Sequence, residues 1–450
     1  MEKDQEVRLA QEPVGRLFAQ LALPAVAAQV VNVLYNIVDR AFIGHISQVG
    51  ALALTGVGVT TPVILMVSAF AALVSMGGAP RASYVLGTGD HEGAERIMGS
   101  CAATLVLISI VLTVGMIMFG EPLLLAFGAS EETLPYALDY LRVYALGTVF
   151  EQLALGLSAF IAAQGFTAKS MQVVVVGCLV NACCDPVLIF VLGLGVQGAA
   201  LSTIISQGIS AAMTVAFLCS RKPLLRLRCD MLCIDVGLLG PCLALGASPC
   251  LMQITENAVA ISFNIALLRY AGDIAVGSVT ILTTIMNFTM LLIVGMTQGA
   301  QPILSYNLGA GNKERVRATF RLLLVCCVTG SMLIWGACMV VPGAIAGLFT
   351  DNAELIAYTT WSLRVFMSML GIFGVQIACQ YSLVALNQAN LAIFLTIFRK
   401  ILLLIPLIFI LPLIVPDHAL GVFLAEPIVD TIAVSVTSVL FRRRFKKLVG

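Results

Sequence analysis

The residues of this chain best placed to do chemistry are polar and acidic groups set inside long apolar runs. Gln29, Asn32, Tyr35, Asn36 and Asp39 recur at spacings of three and four in an otherwise apolar segment. That spacing puts all five on one face of a helix. Pro24, 15 residues before Asp39, removes a backbone hydrogen bond and can kink that helix. A later run carries Asn181 and Asp185 at i and i+4, followed by Pro186, and the next carries Thr203, Ser206 and Gln207. Two carboxylates with amide and hydroxyl oxygens can make an oxygen-lined cation site or a proton site. Carboxylates brought together in low dielectric cannot both stay ionised, so such a pair can take up and release a proton. Two plainer readings compete. Asp39 could sit at the outer water interface beside Arg40, and the polar groups could be a hydrogen-bonded network tying three helices together.

The second half of the chain carries a different set. Gln253, Glu256 and Asn257 share one run, Thr280, Thr283, Thr284 and Asn287 another, and Gln376 and Gln380 a third. Glu256 is a candidate for ion coupling or for meeting a cationic substrate, with a satisfied buried acid as the alternative. Met286 and Met290, with Phe288, Met296, Met367 and Met369, could line an adaptable apolar cavity, although packing explains most such residues. Glu151 precedes Gln152, and Glu426 and Asp430 share a helix face. Arg399 and Lys400 are the cations that fall within an apolar run away from its ends.

These residues must be held by membrane-spanning helices. Hydrophobic residues make up 60% of the chain and charged residues only 11%, against about 25% charged in a soluble protein. A span needs about 20 apolar residues. Candidates lie at 17–43, 51–75, 97–119, 134–161, 168–192, 196–219, 237–267, 274–299, 319–341, 355–384, 390–414 and 419–441. Residues 1–16 read as a charged, polar tail with no cleavable signal. An ionisable side chain at mid-bilayer costs about 2.5–3.5 kcal/mol, so the acids above should face the bundle interior.

The chain is also written twice. Residues 77–92 read GGAPRASYVLGTGDHE and residues 299–314 read GAQPILSYNLGAGNKE, an ungapped offset of 222. The same offset pairs Leu21-Ala22-Leu23 with Leu243-Ala244-Leu245 and Leu141-Arg142-Val143 with Leu363-Arg364-Val365. Six spans per copy give both copies one orientation, related by an axis along the membrane normal. Residues 1–225 form the N-terminal lobe, 226–236 a linker and 237–450 the C-terminal lobe. The repeated GxG loops lack a P-loop Lys-Ser/Thr and a preceding strand, and read as tight turns after helices two and eight.

Charge placement sets the expected topology. Lys3, Arg8 and Arg16, then Arg81 and Arg96, Lys169, Arg221 to Arg228, Lys313 to Arg321 and Arg442 to Lys447 hold 19 of the 25 Lys and Arg, all at the ends or in alternate loops. The positive-inside rule then puts both termini in the cytoplasm of a cell-membrane protein. Most of the 13 cysteines lie in apolar runs as small apolar residues, and Cys229 and Cys233 lack the further ligands of a zinc site. No hydrolase or metalloprotease motif occurs, which argues against an enzyme, and nucleic-acid binding has no support beyond a short basic tail.

The opening LALPAVAAQVVNVLYNIVDRAFIGHI, the proline 15 residues before Asp39 and the paired G…P…LGxG loops resemble the multidrug and toxic compound extrusion (MATE) family of the MOP flippase superfamily, on its DinF-like side. The resemblance implies an all-α protein of 12 transmembrane helices in two six-helix lobes, V-shaped, working by alternating access. It implies efflux of organic cations driven by H⁺ or Na⁺, with no other cofactor. It places the coupling site on Asp39 and Asp185 with Tyr35, Asn181 and Thr203, and a helix bend at Pro24. Glu256 is similar to the helix-seven acid of the NorM-like branch, but no acid follows Glu354 in helix ten, so that branch's site is incomplete here. Glu256, Asn36, Asn257, Gln253, Asn287, Met286 and Met290 are therefore the substrate or auxiliary candidates. A monomer working on small-molecule organic cations in the lipid bilayer is the expected form. The alternatives are a flippase for lipid-linked precursors, for which Arg399 and Lys400 would meet the anionic headgroup, and a membrane scaffold that transports nothing.

Overall fold

The computed structural model describes residues 2–46 and 50–450; the side chains at 2–4, Lys3 of the N-terminal basic set among them, and at 51 and 273 lie outside that description. Among the described residues there is no β-strand. A short helix α1 (Glu2–Gln11) precedes the spans. The first six are α2 (Val14–Gly44), α3 (Gly50–Gly87), α4 (His91–Ala126), α5 (Leu134–Ala163), α6 (Thr167–Val191) and α7 (Gly195–Cys219). The second set is α8 (Val236–Gly272), α9 (Ile274–Gly309), α10 (Lys313–Val340), the single turn α11 (Pro342–Gly347), α12 (Ala353–Phe366) with α13 (Leu370–Ala385), α14 (Ala389–Ile414) and α15 (His418–Val449). Eleven of these helices are long and apolar enough to cross a membrane, and the pair α12–α13, bent by 52°, makes a twelfth span. The protein is an all-α, multi-pass membrane protein of two six-helix lobes.

Several boundaries differ from the sequence expectation, and each has a local cause. The expected polar tail is partly the helix α1, which buries Leu9 and Gln5. No loop separates α8 from α9, because Gly272 reverses the chain at φ 71° and ψ −165°, a conformation open in practice only to glycine. Expected helix ten breaks near Met367. Pro24 lies inside α2. The membrane helices extend beyond the apolar runs, α4 for example beginning at His91, since polar end turns continue a helix into water.

The duplicated segment proves to be more than a turn. In each copy a left-handed glycine (Gly89, φ 86°; Gly311, φ 71°) ends one helix, and the following Asp90 or Asn312 caps the next by accepting from Gly93 N or Arg315 N. The glycines just before this turn press the two lobes together. A Cβ on Gly87 would lie 2.1 Å from Tyr306 O, and one on Gly309 would lie 2.0 Å from Tyr84 O. Deeper in, a Cβ on Gly77 would meet Cys242 O at 1.9 Å, one on Gly246 would meet Leu73 O at 1.8 Å, and one on Gly299 would meet Ala22 Cα at 2.4 Å. These contacts obey the sequence offset: α3 of one lobe crosses α8 and α9 of the other much as α9 crosses α2 and α3.

The helix α1 straps the same face. Gln5 donates to Gly165 O of the first lobe at 3.0 Å, and Glu6 pairs with His91 at 3.2 Å. From the second lobe, Asn307 donates to Leu9 O at 3.0 Å, and Arg315 donates to Leu9 O and Glu12 O at 3.0 and 2.8 Å. The C-terminal end is held there too, Arg317 donating to Val449 O at 2.7 Å. The lobes are therefore closed on the face that carries both termini.

A methyl group at this seam has no room. Gly309→Ala should separate the lobes on that face through about 1–3 kcal/mol of overpacking strain. Cys242, fully buried at the seam, should then react with a membrane-permeant maleimide roughly fivefold faster or more. Site-resolved mass spectrometry measures this, and unchanged protection of Cys242 would contradict the steric account.

Candidate functional site

Above the seam Gln29 of α2 donates to Gln298 of α9 at 3.1 Å, across the lobes. Farther from the termini, Asn32, Asn36 and Ile37 on α2, Glu256 and Ile261 on α8, and Asn287 and Phe288 on α9 are exposed. Two clusters of buried polar groups flank this level, one per lobe.

In the first lobe Asp39 of α2 is 8% exposed, and Asn181 and Asp185 of α6 are fully buried. Asn181 Nδ2 reaches Ser202 Oγ of α7 at 3.0 Å and Asp185 Oδ1 at 3.5 Å, while Ser202 Oγ donates to Asn181 O at 3.1 Å. Tyr35 and Tyr140 lie near Thr203 and the two aspartates, and the Thr203 hydroxyl donates to Ala199 O at 3.1 Å. Asp39 and Asp185 lie close enough for each charge to bear on the other. Arg40 does not close an ion pair with Asp39; it is exposed and turns toward Thr61 Oγ1 at 3.5 Å. The structure thus gathers Asp39, Asp185, Asn181, Tyr35 and Thr203 at one place. Asn36 turns away to donate to Asn32 O at 2.7 Å.

The hydrogen bonds leave a specific deficit. Asp39 Oδ1, Asp185 Oδ2 and Asn181 Oδ1 are buried acceptors without a partner. An unmet buried acceptor costs about 1–3 kcal/mol, more when charged. A proton or a small hard cation would satisfy them, since oxygen is the donor such ions prefer. Among the described residues no group of three or more His, Cys, Asp or Glu could hold a metal ion. Ser202 and Tyr140 belong to this cluster and were not singled out from the sequence; their spacing to Asn181 and Tyr35 across other helices gives no pattern along the chain.

The second lobe pairs its buried acids with cations of its own. Arg399 of α14 donates to Asp430 Oδ1 of α15 at 2.8 and 3.1 Å and to Glu426 Oε1 at 2.7 Å. It also lies 4.8 Å above the Phe373 ring. The neighbouring Lys400 donates to Glu256 Oε1 of α8 at 2.6 Å. These cations sit in a π-helical stretch, Phe398–Leu404. A π stretch, Val187–Val191, likewise follows Asp185 on the equivalent helix of the first lobe. Such wider turns re-aim side chains and recur at functional sites. Arg399 and Lys400 therefore face acids, which takes away the open cationic surface that would favour an anionic substrate.

The remaining candidates divide. Gln253 and Asn257 are half-buried beside Glu256, and Asn287, Met286 and Met290 are on α9, none in a side-chain hydrogen bond recorded with the charged cluster. Thr280, Thr283 and Thr284 donate to carbonyls of their own helix, and Gln380 donates to Thr396 at 2.6 Å; these are satisfied structural groups. Glu151 accepts from Ser68 at 2.7 Å and from Tyr144, tying α3 to α5. All 13 cysteines are free.

Two buried ion clusters on the facing lobes of a duplicated helical bundle define a membrane secondary transporter rather than an enzyme. The MatE family model matches residues 24–187 and 249–410, and the chain belongs to that family. It is similar to the multidrug export protein MepA of Staphylococcus haemolyticus, 25% identical over 415 residues that cover 91% of this chain and 90% of the relative. MepA of Staphylococcus aureus strain NCTC 8325 matches at 25% with the same coverage. Among solved structures, a MATE protein in its bent conformation superposes with a TM-score of 0.92 at 21% identity, covering 98% of both chains. A MOP superfamily transporter from Pyrococcus furiosus, described as having a binding pocket of reverse polarity, gives 0.90 at 20% identity and the same coverage. The fold is accordingly the V-shaped, two-lobed one.

Removing one partner of a buried ion pair strands the others. Arg399→Met should leave Glu426 and Asp430 uncompensated and destabilise the protein by about 3–5 kcal/mol. Denaturant unfolding in detergent would read this; a loss below about 1 kcal/mol, the range of exposed pairs, would mean the cluster is hydrated.

Proposed function

We propose that this protein is a cation-coupled antiporter that exports amphipathic organic cations by alternating access. Its cell-membrane location has both termini in the cytoplasm, following the positive-inside distribution, and it works as a monomer. On that orientation the closed seam is the cytoplasmic gate and the cleft opens outward. The observation that carries the reading is the set of unpartnered buried oxygens on Asp39, Asp185 and Asn181. H⁺ or Na⁺ entering from outside satisfies them, and Tyr35 and Thr203 complete the site.

Binding there changes the packing of α2 against α6 and α7, and so disfavours the state that holds the exported compound. Ion and substrate exchange only because each prefers a different conformation. The multidrug export activity in the names of the staphylococcal relatives supports the substrate class. Asn36, Gln253, Glu256, Asn257, Asn287, Met286 and Met290 supply an adaptable wall of amides, one acid and thioethers for it. The Arg399 and Lys400 ion pairs give no support to a lipid-linked anionic substrate.

Efflux of a fluorescent organic cation from proteoliposomes, under separately imposed pH and Na⁺ gradients, tests this. Flux with one gradient names the coupling ion, and no flux with either rejects antiport. Asp39→Asn should fold and bind the fluorescent cation but lose gradient-driven efflux at least tenfold, as expected when about 1.4 kcal/mol or more of coupling is removed. Unimpaired efflux would take Asp39 out of the mechanism.

A further inference from the structure

Resting on the proposed cation export, we infer that Lys400 is a built-in counter-ion that competes with cationic substrates for Glu256, with Glu426 as its second seat. Three carboxylates, Glu256, Glu426 and Asp430, share this cluster with two cations, Arg399 and Lys400. One carboxylate is therefore always short of a cation.

The geometry says which ones can exchange. Arg399 is fixed by bonds to both α15 acids and by the Phe373 ring. Lys400 has one acid partner, Glu256, at 2.6 Å, and its ammonium sits on a flexible four-carbon stem. The two ends of that bond differ in environment. The Lys400 side chain is 6% exposed, while that of Glu256 is 46% exposed, farther along α8 than the seam glycine Gly246. In the same cluster Glu426 Oε2 is buried with no hydrogen-bond partner, and Lys400 lies near enough to act electrostatically on both Glu426 and Asp430.

Lys400 can thus leave Glu256 for an oxygen that lacks a donor, at little net cost because an unmet acceptor is satisfied in the exchange. The half-exposed Glu256 then stands bare and takes an external organic cation in place of the ammonium. In the resting arrangement the ion pair hides that negative charge, so ordinary inorganic cations gain little by binding there. An amphipathic cation adds apolar contact with Met286 and Met290 and can outcompete Lys400. Specificity for such compounds then comes partly from an internal competitor.

Binding of a fluorescent organic monocation and of an uncharged dye of similar size, measured by anisotropy on purified protein, tests this. Lys400→Met should bind the monocation about tenfold more tightly, equivalent to about 1.4 kcal/mol, and the uncharged dye no better. Adding Glu256→Gln to Lys400→Met should abolish the gain. Glu426→Gln, which removes the charge of the second seat and keeps the volume, should hold Lys400 on Glu256 and weaken monocation binding by a similar factor; it carries the test if Lys400→Met does not fold. A gain that extends to the uncharged dye or survives Glu256→Gln overturns the inference, as does monocation binding unaltered in both Lys400→Met and Glu426→Gln. The proteoliposome flux of the native protein judges export separately, since its failure would leave these binding differences readable.

Discussion

Everything else in this molecule depends on how closely two backbones can approach at the seam between the lobes. Gly77, Gly87, Gly246, Gly299 and Gly309 each place a backbone where a side chain would collide with the opposite lobe. The approach closes one face and leaves the acids of α2, α6 and α8 at the level where the lobes diverge. Glycine at these positions lowers helix propensity by about 1 kcal/mol relative to alanine, a cost accepted in exchange for backbone contact across the pseudo-twofold axis. The strap α1 then joins both lobes through main-chain carbonyls. The closed face is thus held by backbone contacts, by the strap and by an apolar core that runs continuously from Leu21, Val74 and Leu86 of one lobe to Cys242, Leu245 and Ile303 of the other.

The two lobes share a fold and divide the chemistry. The first keeps Asp39 and Asp185 without a basic partner and leaves oxygens unmet. The second brings its own cations to its acids. Each cluster draws on a helix with a π stretch, but the stretches fall at different positions of the repeat, after Asp185 in the first lobe and around Arg399 and Lys400 in the second. An isolated buried acid is expensive, and the two lobes treat theirs differently: one pairs them with internal cations, the other leaves carboxylate and amide oxygens without a hydrogen-bond partner.

Much of this was legible along the chain. The repeat, the spans and the polar stripe on α2 are periodic signals, and periodicity survives translation into structure. The stripe identified Asp39 and Tyr35 but could not tell that Asn36 bonds its own helix at Asn32. The repeated glycines read as turns, and only Gly89 and Gly311 serve mainly as such; the role of Gly87 and Gly309 depends on carbonyls 219 or 225 positions away in the chain. Partners such as Lys400 and Glu256, separated by 144 residues, leave no trace in local spacing. The strap α1 was hidden by its polarity, because a charged helix lying on other polar segments looks like a tail.

The lengths of the seam helices have a mechanical consequence. At 36 residues each, Leu52–Gly87 and Ile274–Gly309 reach about 54 Å, against a hydrocarbon core of about 30 Å. Their ends at Gly87 and Gly309 therefore stand well outside the lipid. The latch there is immersed in water, and parting it exposes carbonyls that solvent can at once hydrogen-bond. Any rotation about contacts at one end of helices this long displaces the opposite end in proportion to their length.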